Sequence, residues 1–341
     1  MRAVHVAAVV ALVLVGTPAP SSACSVCQAG DPVFSSGAAG PRESGSLSAF
    51  IEYQGSRKDS GLLPEDQGDE AEETSVEEEH EEEDSEGGAA GGLVREPGDE
   101  VNRLRQLNAI VTWGVVDRLS LSVQIPFKSS SIRERPDNEE AETSRLTGLG
   151  DVSLTADYVL WRDREVLPEN FVTARFFGKA PTGDDRERKD GRVDPHLQRG
   201  TGSWDYGVGL GAGHRMQWGS MYASALYRVN RQGANRYEYG DVILVNAAIE
   251  RPLGAASGNS VALELNFRHA RRDVFESSRY RDSGGSIFYA TPSFRFRLPW
   301  LSGERVPTMR MAVQLPFGDG GLLGQQHEGL VWSAGLIIPL R

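Results

Sequence analysis

Apolar and polar residues alternate along most of the chain beyond residue 45. In the C-terminal stretch the apolar face is formed by Leu330, Trp332, Ala334, Leu336, Ile338 and Leu340. The stretch 119–127 repeats the pattern, with Leu, Leu, Val, Ile and Phe at every second position. A repeat of two residues is the signature of a β-strand, whereas a helix repeats every 3.6 residues. The sequence therefore predicts an all-β protein.

Twelve segments of this kind occur, and the links between them alternate between short and long. The segments lie near residues 46–57, 101–115, 118–129, 150–161, 170–179, 204–216, 219–230, 240–251, 259–270, 285–298, 307–317 and 328–341. Bacterial outer-membrane barrels have an even number of strands, with short turns in the periplasm and longer loops outside. A soluble exported β-protein has no reason to keep this parity. The pattern favours a closed antiparallel transmembrane β-barrel of about 12 strands.

In such a barrel the apolar face of each strand meets lipid and the polar face lines the lumen. A closed ring also pairs every backbone N–H and C=O group, which the hydrocarbon phase requires. Aromatic residues near strand ends are typical of the interfacial girdles. They are Trp113, Tyr158, Trp218, Tyr222, Trp300 and Trp332. The predicted partners are therefore outer-membrane lipid and a solute, with the protein acting as a monomer.

The inward-facing set contains charges of both signs, with arginine in excess. Its charged members are Glu52, Lys128, Asp157, Arg175, Lys179, Asp205, Arg215, Arg228, Glu250, Glu264, Arg268, Arg295, Arg297 and Arg310. Unpaired charges are costly in a dry core but are tolerated in a wet channel. Eight strands are filled by side chains and sixteen leave an aqueous pore, so twelve predict a narrow lumen. The alternative is that these charges form ladders that stiffen the wall and conduct nothing.

Four glycines, at positions 207, 209, 211 and 213, also follow the inward parity. Glycine in a strand leaves room for a close neighbour. The run is interpreted as space for a plug or a strand bend, with simple barrel curvature as the alternative.

The N-terminus reads as a secretory signal peptide covering residues 1–23. Arg2 precedes a short apolar run over residues 4–16, and small residues at Ser21 and Ala23 suit cleavage before Cys24. No later apolar run approaches 18 residues, so no helical membrane span is predicted. Export without a helical span places a barrel in the outer membrane of a Gram-negative bacterium.

Residues 24–45 form a loop-like segment that begins with the two cysteines, Cys24 and Cys27. The periplasm is oxidising, so a local disulfide is one interpretation of this spacing. Contact with a soft metal and lipidation of Cys24 are the others. A structural zinc site needs four ligands and no further cysteine exists. The segment is a candidate plug for the lumen, and the barrel itself is predicted to span 46–341.

The acidic stretch 65–86 contains 14 Asp or Glu residues and no Lys or Arg. The net charge of the whole chain is −12, so the remainder is nearly neutral. We expect a disordered extracellular loop near 58–99, because like charges repel and keep such a stretch solvated. A weak cation site is the alternative, formed by Glu77, Glu78, Glu79, His80, Glu81, Glu82 and Glu83. No basic stripe suggests nucleic-acid binding.

Catalysis is not predicted. The histidines after the signal peptide are His80, His196, His214, His269 and His327, and none follows the inward parity beside a serine. A Ser–His hydrolase needs such a convergence. No cofactor site is indicated either.

Four motifs resemble one family of outer-membrane barrels. They are GLGDVSLTADY (148–158), GKAPTGD (178–184), GTGSWDYGVGLG (200–211) and YGDVILVNAAIERPL (239–253). That family is labelled as transporters of the phenol meta-degradation pathway and is distantly related to the fatty-acid channels. The resemblance implies passage of small organic compounds and supplies no catalytic residues.

The sequence thus predicts an outer-membrane channel or transporter that passes a small organic or anionic solute through a narrow, arginine-biased lumen. The alternative is a plugged structural or binding barrel whose acidic outer loop captures cations or a partner. A recording of single-channel conductance distinguishes the two.

Overall fold

The structure is a computed structural model of the chain. It describes residues 40–60, 99–135, 142–186, 188–189, 192–193, 198–233, 236–254, 258–275, 278–279, 284–298, 306–317 and 326–341. Within these ranges there is no helix with the length and hydropathy needed to cross a membrane.

The described residues form β-strands joined by turns and loops. In chain order the strands are β1 Leu47–Ser60, β2 Asp99–Val116, β3 Leu119–Arg135, β4 Glu142–Leu149, β5 Val152–Arg162, β6 Asn170–Ala180, β7 Arg188–Lys189, β8 Arg192–Val193, β9 Asp205–Met216, β10 Gly219–Val229, β11 Tyr237–Glu238, β12 Val242–Pro252, β13 Ser260–Ala270, β14 Val274–Phe275, β15 Ser278–Arg279, β16 Gly285–Arg297, β17 Thr308–Phe317 and β18 Gln326–Pro339.

The long strands form one closed antiparallel sheet. Each pairs with its neighbour in sequence, and β1 pairs with both β2 and β18, which closes the ring. Strands β4 and β5 lie one after the other along β3 and act as a single strand interrupted at 150–151. The barrel therefore has twelve strands, and each overlaps one predicted segment, although β4 lies in a stretch between two of the predicted segments. The prediction of a twelve-stranded closed barrel is confirmed.

The outer face of the ring is apolar over a broad belt. Leu107, Val111 and Trp113 alternate along β2 and are each more than two-fifths exposed. The same alternation places Leu154 and Leu160 of β5 outside. The belt can face lipid because every strand finds hydrogen-bond partners on both sides. The first and last strands of the barrel are also joined at their ends, since the Leu47 N–H donates to the Arg341 carbonyl at 3.0 Å.

The predicted aromatic girdle is correct in four positions and wrong in one. The side chains of Trp113, Tyr158, Trp218 and Trp332 are exposed on the outer face. Tyr222 instead points inward, with its ring centroid 6.4 Å from that of Phe171. The reason is parity, because Met221 beside it takes the outward position. Trp300 lies outside the described residues.

The short links and the two ends of the barrel chain lie at one end of the ring, which is the periplasmic end by the rule for such barrels. The long links lie at the other end and carry the five short strands. There β11, β14 and β15 form a small separate sheet, and β7 pairs with β8. The buried Asp273 holds this small sheet against the barrel, because it accepts a hydrogen bond from the Tyr237 hydroxyl at 2.5 Å and one from the Gly240 N–H at 2.7 Å.

Candidate functional site

The middle of the lumen carries a ladder of amide and hydroxyl groups. Asn266 donates to Asn246 at 2.9 Å, and Thr291 donates to Asn266 at 2.8 Å. Asn246 in turn reaches Ser224 at 3.3 Å, so the ladder joins β10, β12, β13 and β16. The charged set named from sequence does not include this ladder. The sequence signal for this ladder was that its four residues all occupy inward-facing positions in the alternating pattern of their strands.

Arg310 lies beside this ladder as one of the largest fully buried side chains. It is 2% exposed, and its two terminal nitrogens contact Glu52 at 3.5 Å and Glu264 at 2.8 Å. Gly335 lies between Glu52 and Arg310 in the strand register, so no side chain blocks their approach. The structure brings together three of the residues named from sequence, and they pack tightly rather than line open space.

Two further pairs of the charged set lie closer to the periplasmic end. The Arg175 guanidinium donates to both carboxylate oxygens of Asp157, at 2.7 and 3.0 Å. Arg295 contacts Glu250 at 3.2 Å, and Ser260 donates to the same carboxylate. A bidentate arginine–carboxylate pair fixes both side chains in place. These four residues therefore form the cross-strand ladders that the alternative interpretation anticipated.

The extracellular end contains a cluster built around Lys179. Its ammonium contacts Asp205 and lies 3.3 Å from Asp151. Asp151 is 7% exposed and also accepts hydrogen bonds from the Gly183 N–H at 2.9 Å and the Thr201 N–H at 2.8 Å. The inward set predicted from sequence includes Lys179 and Asp205 but not Asp151. The available signal for Asp151 was its position in a Gly–Asp motif, GLGD, like the Gly–Asp of PTGD.

The cluster joins motifs that are far apart in sequence. Asp151 ends the GLGD stretch, Gly183 belongs to PTGD, and Thr201 belongs to GTGS. The close approach of the chains requires glycine, since a Cβ added to Gly200 would lie 2.6 Å from both the Asp151 carboxylate and the Gly183 carbonyl. Three of the four motifs therefore meet at one point. Asp241 of the fourth motif accepts the Asn230 N–H and the Tyr227 hydroxyl nearby.

Two cations beside this cluster have no carboxylate of their own among the described residues. Lys128 lies within electrostatic range of Asp151, Lys179 and Arg228, and its Cε would be 3.0 Å from a Cβ added to Gly150. The Arg228 guanidinium lies over the Phe177 ring, 5.9 Å from its centroid. Within the described part of the chain, the buried Nε of Arg228 has no hydrogen-bond partner. Three cations thus face two carboxylates, so the cluster has an excess of one positive charge, and both carboxylates contact Lys179.

Other predicted members of the lumen set lie elsewhere on the inner face. Arg268 is almost fully buried on β13. Arg215 and Arg297 are exposed at the periplasmic rim, and only Arg215 lines a cavity there. The structure does not bring these three residues into the extracellular cluster.

The glycine row of β9 lies against inward side chains of the neighbouring strands. A Cβ at Gly213 would lie 2.2 Å from the Phe171 ring, and one at Gly211 would lie 2.6 Å from the Thr173 hydroxyl. A Cβ at Gly209 or Gly207 would lie 3.1 or 3.3 Å from Cδ1 of Leu226. The space is filled by inward side chains of the two neighbouring strands, so the row is a packing groove.

A cavity of about 310 Å³ lies at the periplasmic end of the barrel. Residues 40–43 form part of its wall, and Gly40 lies against the Phe171 ring. Gly45 and Ser46 exchange backbone hydrogen bonds with Gly114 at 2.7 and 2.8 Å, which anchors the segment at the mouth. Burial lowers the pKa of the Arg42 guanidinium, and the charge of Asp157 opposes that effect. Arg42 is therefore within range of the ladders in the lumen.

Two histidines whose side chains are described, His214 and His269, follow the outward parity of their strands. His214 is exposed, and its Nδ1 lies 2.6 Å from the Asn170 side-chain oxygen. His269 lies 2.9 Å from the Ser286 hydroxyl on the outward parity of β13.

Several predicted sites lie outside the described residues. They are the pair Cys24 and Cys27 and the acidic set Glu77, Glu78, Glu79, His80, Glu81, Glu82 and Glu83. The disulfide, soft-metal and cation-capture interpretations therefore stay predictions. In the residues that are described, no group of three His, Cys, Asp or Glu side chains is placed to hold a metal ion.

Among solved structures, one outer-membrane channel shares the fold of this chain. The chain is 15% identical to the COG4313 outer membrane channel from Pseudomonas putida F1, over 88% of this chain and 97% of that one, with a TM-score of 0.57. The translocator domain of the autotransporter NalP from Neisseria meningitidis is 10% identical, over 88% of this chain and 89% of that one, with a TM-score of 0.39. A Pseudomonas aeruginosa FadL homologue is 10% identical, over 86% and 89%, with a TM-score of 0.39.

No curated protein sequence matches the chain. One family profile does, over residues 100–295, which is more than half of the chain. The matched region runs from β2 to β16 and contains all four motifs around the extracellular cluster. The protein is an outer-membrane β-barrel of a Gram-negative bacterium, and it belongs to the family described as "Putative MetA-pathway of phenol degradation".

Proposed function

We propose that the barrel is a passive channel for small organic anions, which enter at its extracellular end. The observation that carries this proposal is the excess of positive charge formed by Lys128 and Arg228. Cationic side chains that line a pore favour anions, because they replace part of the hydration that the ion loses on entry. The Phe177 ring beside Arg228 supplies an apolar surface for an organic body.

The relatives agree with this proposal at a coarser level. The family description refers to phenol degradation, and the Pseudomonas putida structure is titled an outer membrane channel. Phenols and their carboxylated products combine a small apolar ring with an acidic oxygen. The cluster at Lys128, Arg228 and Phe177 suits that combination of charge and ring.

The path through the lumen is narrow on this proposal. Glu264, Tyr289 and Thr291 are completely buried on the inner face, so side chains fill that side of the barrel. The remaining inner surface on β3, β6, β9 and β10 carries the cluster and the glycine row. Solutes would therefore pass along this half of the wall.

Selectivity should depend on Lys128 and Arg228. In planar bilayers with a salt gradient, the intact protein is expected to prefer anions. The variant Lys128→Gln/Arg228→Gln should lose that preference, since the neutral side chains keep most of the volume but not the charge. The measurement is the reversal potential. Arg164→Gln is the matched control, because Arg164 is an exposed arginine of a periplasmic turn, paired with Glu169 at 3.1 Å. An unchanged reversal potential in the double variant would contradict the proposal.

The N-terminal segment 24–45 is proposed to narrow the periplasmic mouth after removal of a signal peptide, 1–23. Deleting residues 24–43 leaves Gly45 and Ser46 in their pairing with Gly114. We expect a larger single-channel conductance for this variant, because Gly40 and Arg42 no longer occupy the cavity wall. A conductance equal to that of the intact chain would show that the segment does not obstruct the path.

The second candidate function is a closed barrel that binds a partner or cations through its acidic outer segment. The tight packing of Arg310 with Glu52 and Glu264 favours it over an open pore. Silence in planar bilayers, both for the intact chain and for the shortened chain, would support this candidate and exclude the channel.

A further inference from the structure

On strands β1 to β4, the outer surface of the barrel changes from apolar to basic toward the extracellular end. Leu107, Phe127 and Leu149 lie side by side in the strand register and are all exposed. They form the last apolar row toward the extracellular end. Because these strands are part of the ring wall, the row marks where the apolar belt ends on this side.

Beyond that row the outward positions carry arginines and hydroxyl groups. The next row contains Arg105, Ser129 and Thr147, and the one after it contains Arg57, Arg103, Ser131 and Arg145. All four arginines are exposed. We call Arg57, Arg103, Arg105 and Arg145 the arginine surface. Their outward direction follows from Leu107 and Leu149, which share their parity on β2 and β4.

The arginine surface concentrates like charges. Arg57 and Arg103 are directly opposite each other in the register, a position in which like charges destabilise a sheet. Within the described ranges, Arg103, Arg105 and Arg145 make no ion pair with a carboxylate of the chain. Alternate residues on one strand lie about 7 Å apart and neighbouring strands about 5 Å apart. Several of these side chains can therefore reach one anion.

A groove runs beside the arginine surface. Its volume is about 510 Å³, and Arg57, Arg103 and Arg105 line one side while Leu330 and Trp332 line another. Gly55 lies between Arg105 and Trp332 in the register and leaves the space open for the indole ring. Tryptophan is typical of the membrane interface. The groove is thus basic on one side and apolar on the other.

We propose that the arginine surface binds the phosphate groups of the outer-leaflet glycolipid, lipopolysaccharide. Arginine binds phosphate in a bidentate manner, and Ser129, Ser131 and Thr147 offer hydroxyl groups between the arginines. The acyl chains of the same lipid would lie along the apolar row formed by Leu107, Phe127 and Leu149. A ligand with phosphates above and hydrocarbon below, at this depth, is a phosphorylated lipid of the outer leaflet.

The acidic stretch 65–86 is the rival occupant, because it connects β1 to β2 and carries 14 carboxylates. Carboxylates also pair with arginine. The glycolipid fits better because it accounts for both the basic and the apolar residues, whereas a polar acidic chain would leave the apolar row and the apolar side of the groove uncovered. This inference does not depend on whether the lumen conducts.

The test measures binding of purified full-length protein to fluorescently labelled lipid A in detergent, with dephosphorylated lipid A as the second probe. The variant is Arg103→Gln/Arg105→Gln/Arg145→Gln. Arg164→Gln serves as the control, since it removes one exposed charge from the opposite end of the barrel. Circular dichroism and heat-dependent gel mobility confirm that each variant is folded.

We expect the triple variant to bind lipid A at least tenfold more weakly, because each lost arginine–phosphate contact removes a charge-assisted hydrogen bond. Binding of the dephosphorylated probe should be weak for both proteins. Equal affinity of the intact and triple-variant proteins for lipid A would overturn the proposal. So would tight binding that appears only after deletion of residues 65–86, since the acidic stretch would then occupy the surface in the intact chain.

Discussion

Replacing Arg310 with methionine is expected to lower the free energy of unfolding by about 3–5 kcal/mol. Arg310 is 2% exposed and lies between Glu52 and Glu264, which are themselves buried. Removing the cation leaves two carboxylates close together without the group that compensates their lost hydration. The measurement is urea unfolding of the protein in lipid vesicles, followed by tryptophan fluorescence. The expected result is a lower midpoint with an unchanged slope.

A compensated variant distinguishes loss of charge balance from loss of packing. In Glu52→Gln/Glu264→Gln/Arg310→Met the three charges are removed together, and most of the stability should return, because an apolar or neutral replacement of a whole buried ion cluster is often tolerated. If Arg310→Met alone is as stable as the intact protein, the cluster is hydrated in the folded barrel. That result would also favour an open water path through the middle of the lumen.

The architecture was predictable because a membrane barrel repeats one simple rule. The side chains of each strand must point alternately to lipid and to the lumen. The direction of Leu107 can therefore be predicted from residues 109 and 111, which lie on the same face. The length of the links is a second regularity, because short links lie at the periplasmic end of such barrels and long links at the extracellular end. These two regularities do not depend on which strand lies beside which, and they were sufficient to define all twelve strands.

The interactions inside the lumen were not predictable, because they depend on register between strands. Arg310 reaches Glu52 across Gly335, and the two residues are separated by most of the chain. A single sequence gives the parity of each residue but not its cross-strand neighbour. The glycine row shows the same limit, since its vacant positions are filled by Phe171 and Leu226 of neighbouring strands.

The balance of charge in the site was also hidden from sequence. The inward set contained Lys128, Asp205 and Arg228 but not the carboxylate of Asp151, which lies at the interruption between β4 and β5. A residue at a break in a strand has no reliable parity, because the extra residue changes which face its successors take. The structure shows that Asp151 and Asp205 share Lys179, and that neither Lys128 nor Arg228 has a carboxylate partner among the described residues.

Asp151→Ala is expected to have the second large effect, a loss of about 3–5 kcal/mol in the free energy of unfolding, because a buried charged partner is removed. Its carboxylate accepts the Gly183 N–H and the Thr201 N–H and hydroxyl, and it lies 3.3 Å from Lys179. Those donors would be left buried without an acceptor. The three motif loops should also separate, so limited proteolysis is expected to cut between 181 and 203 earlier than in the intact protein.

Asp163→Ala is the matched control for this experiment. Asp163 also accepts two hydrogen bonds, from the Glu169 N–H and the Asn170 amide, but it lies in an exposed periplasmic turn. Its replacement should cost much less stability and leave the extracellular proteolysis pattern unchanged, because water can satisfy the donors it releases. An equal decrease in the free energy of unfolding for the two variants would mean that Asp151 is solvated. The extracellular cluster would then not be what holds the motifs together.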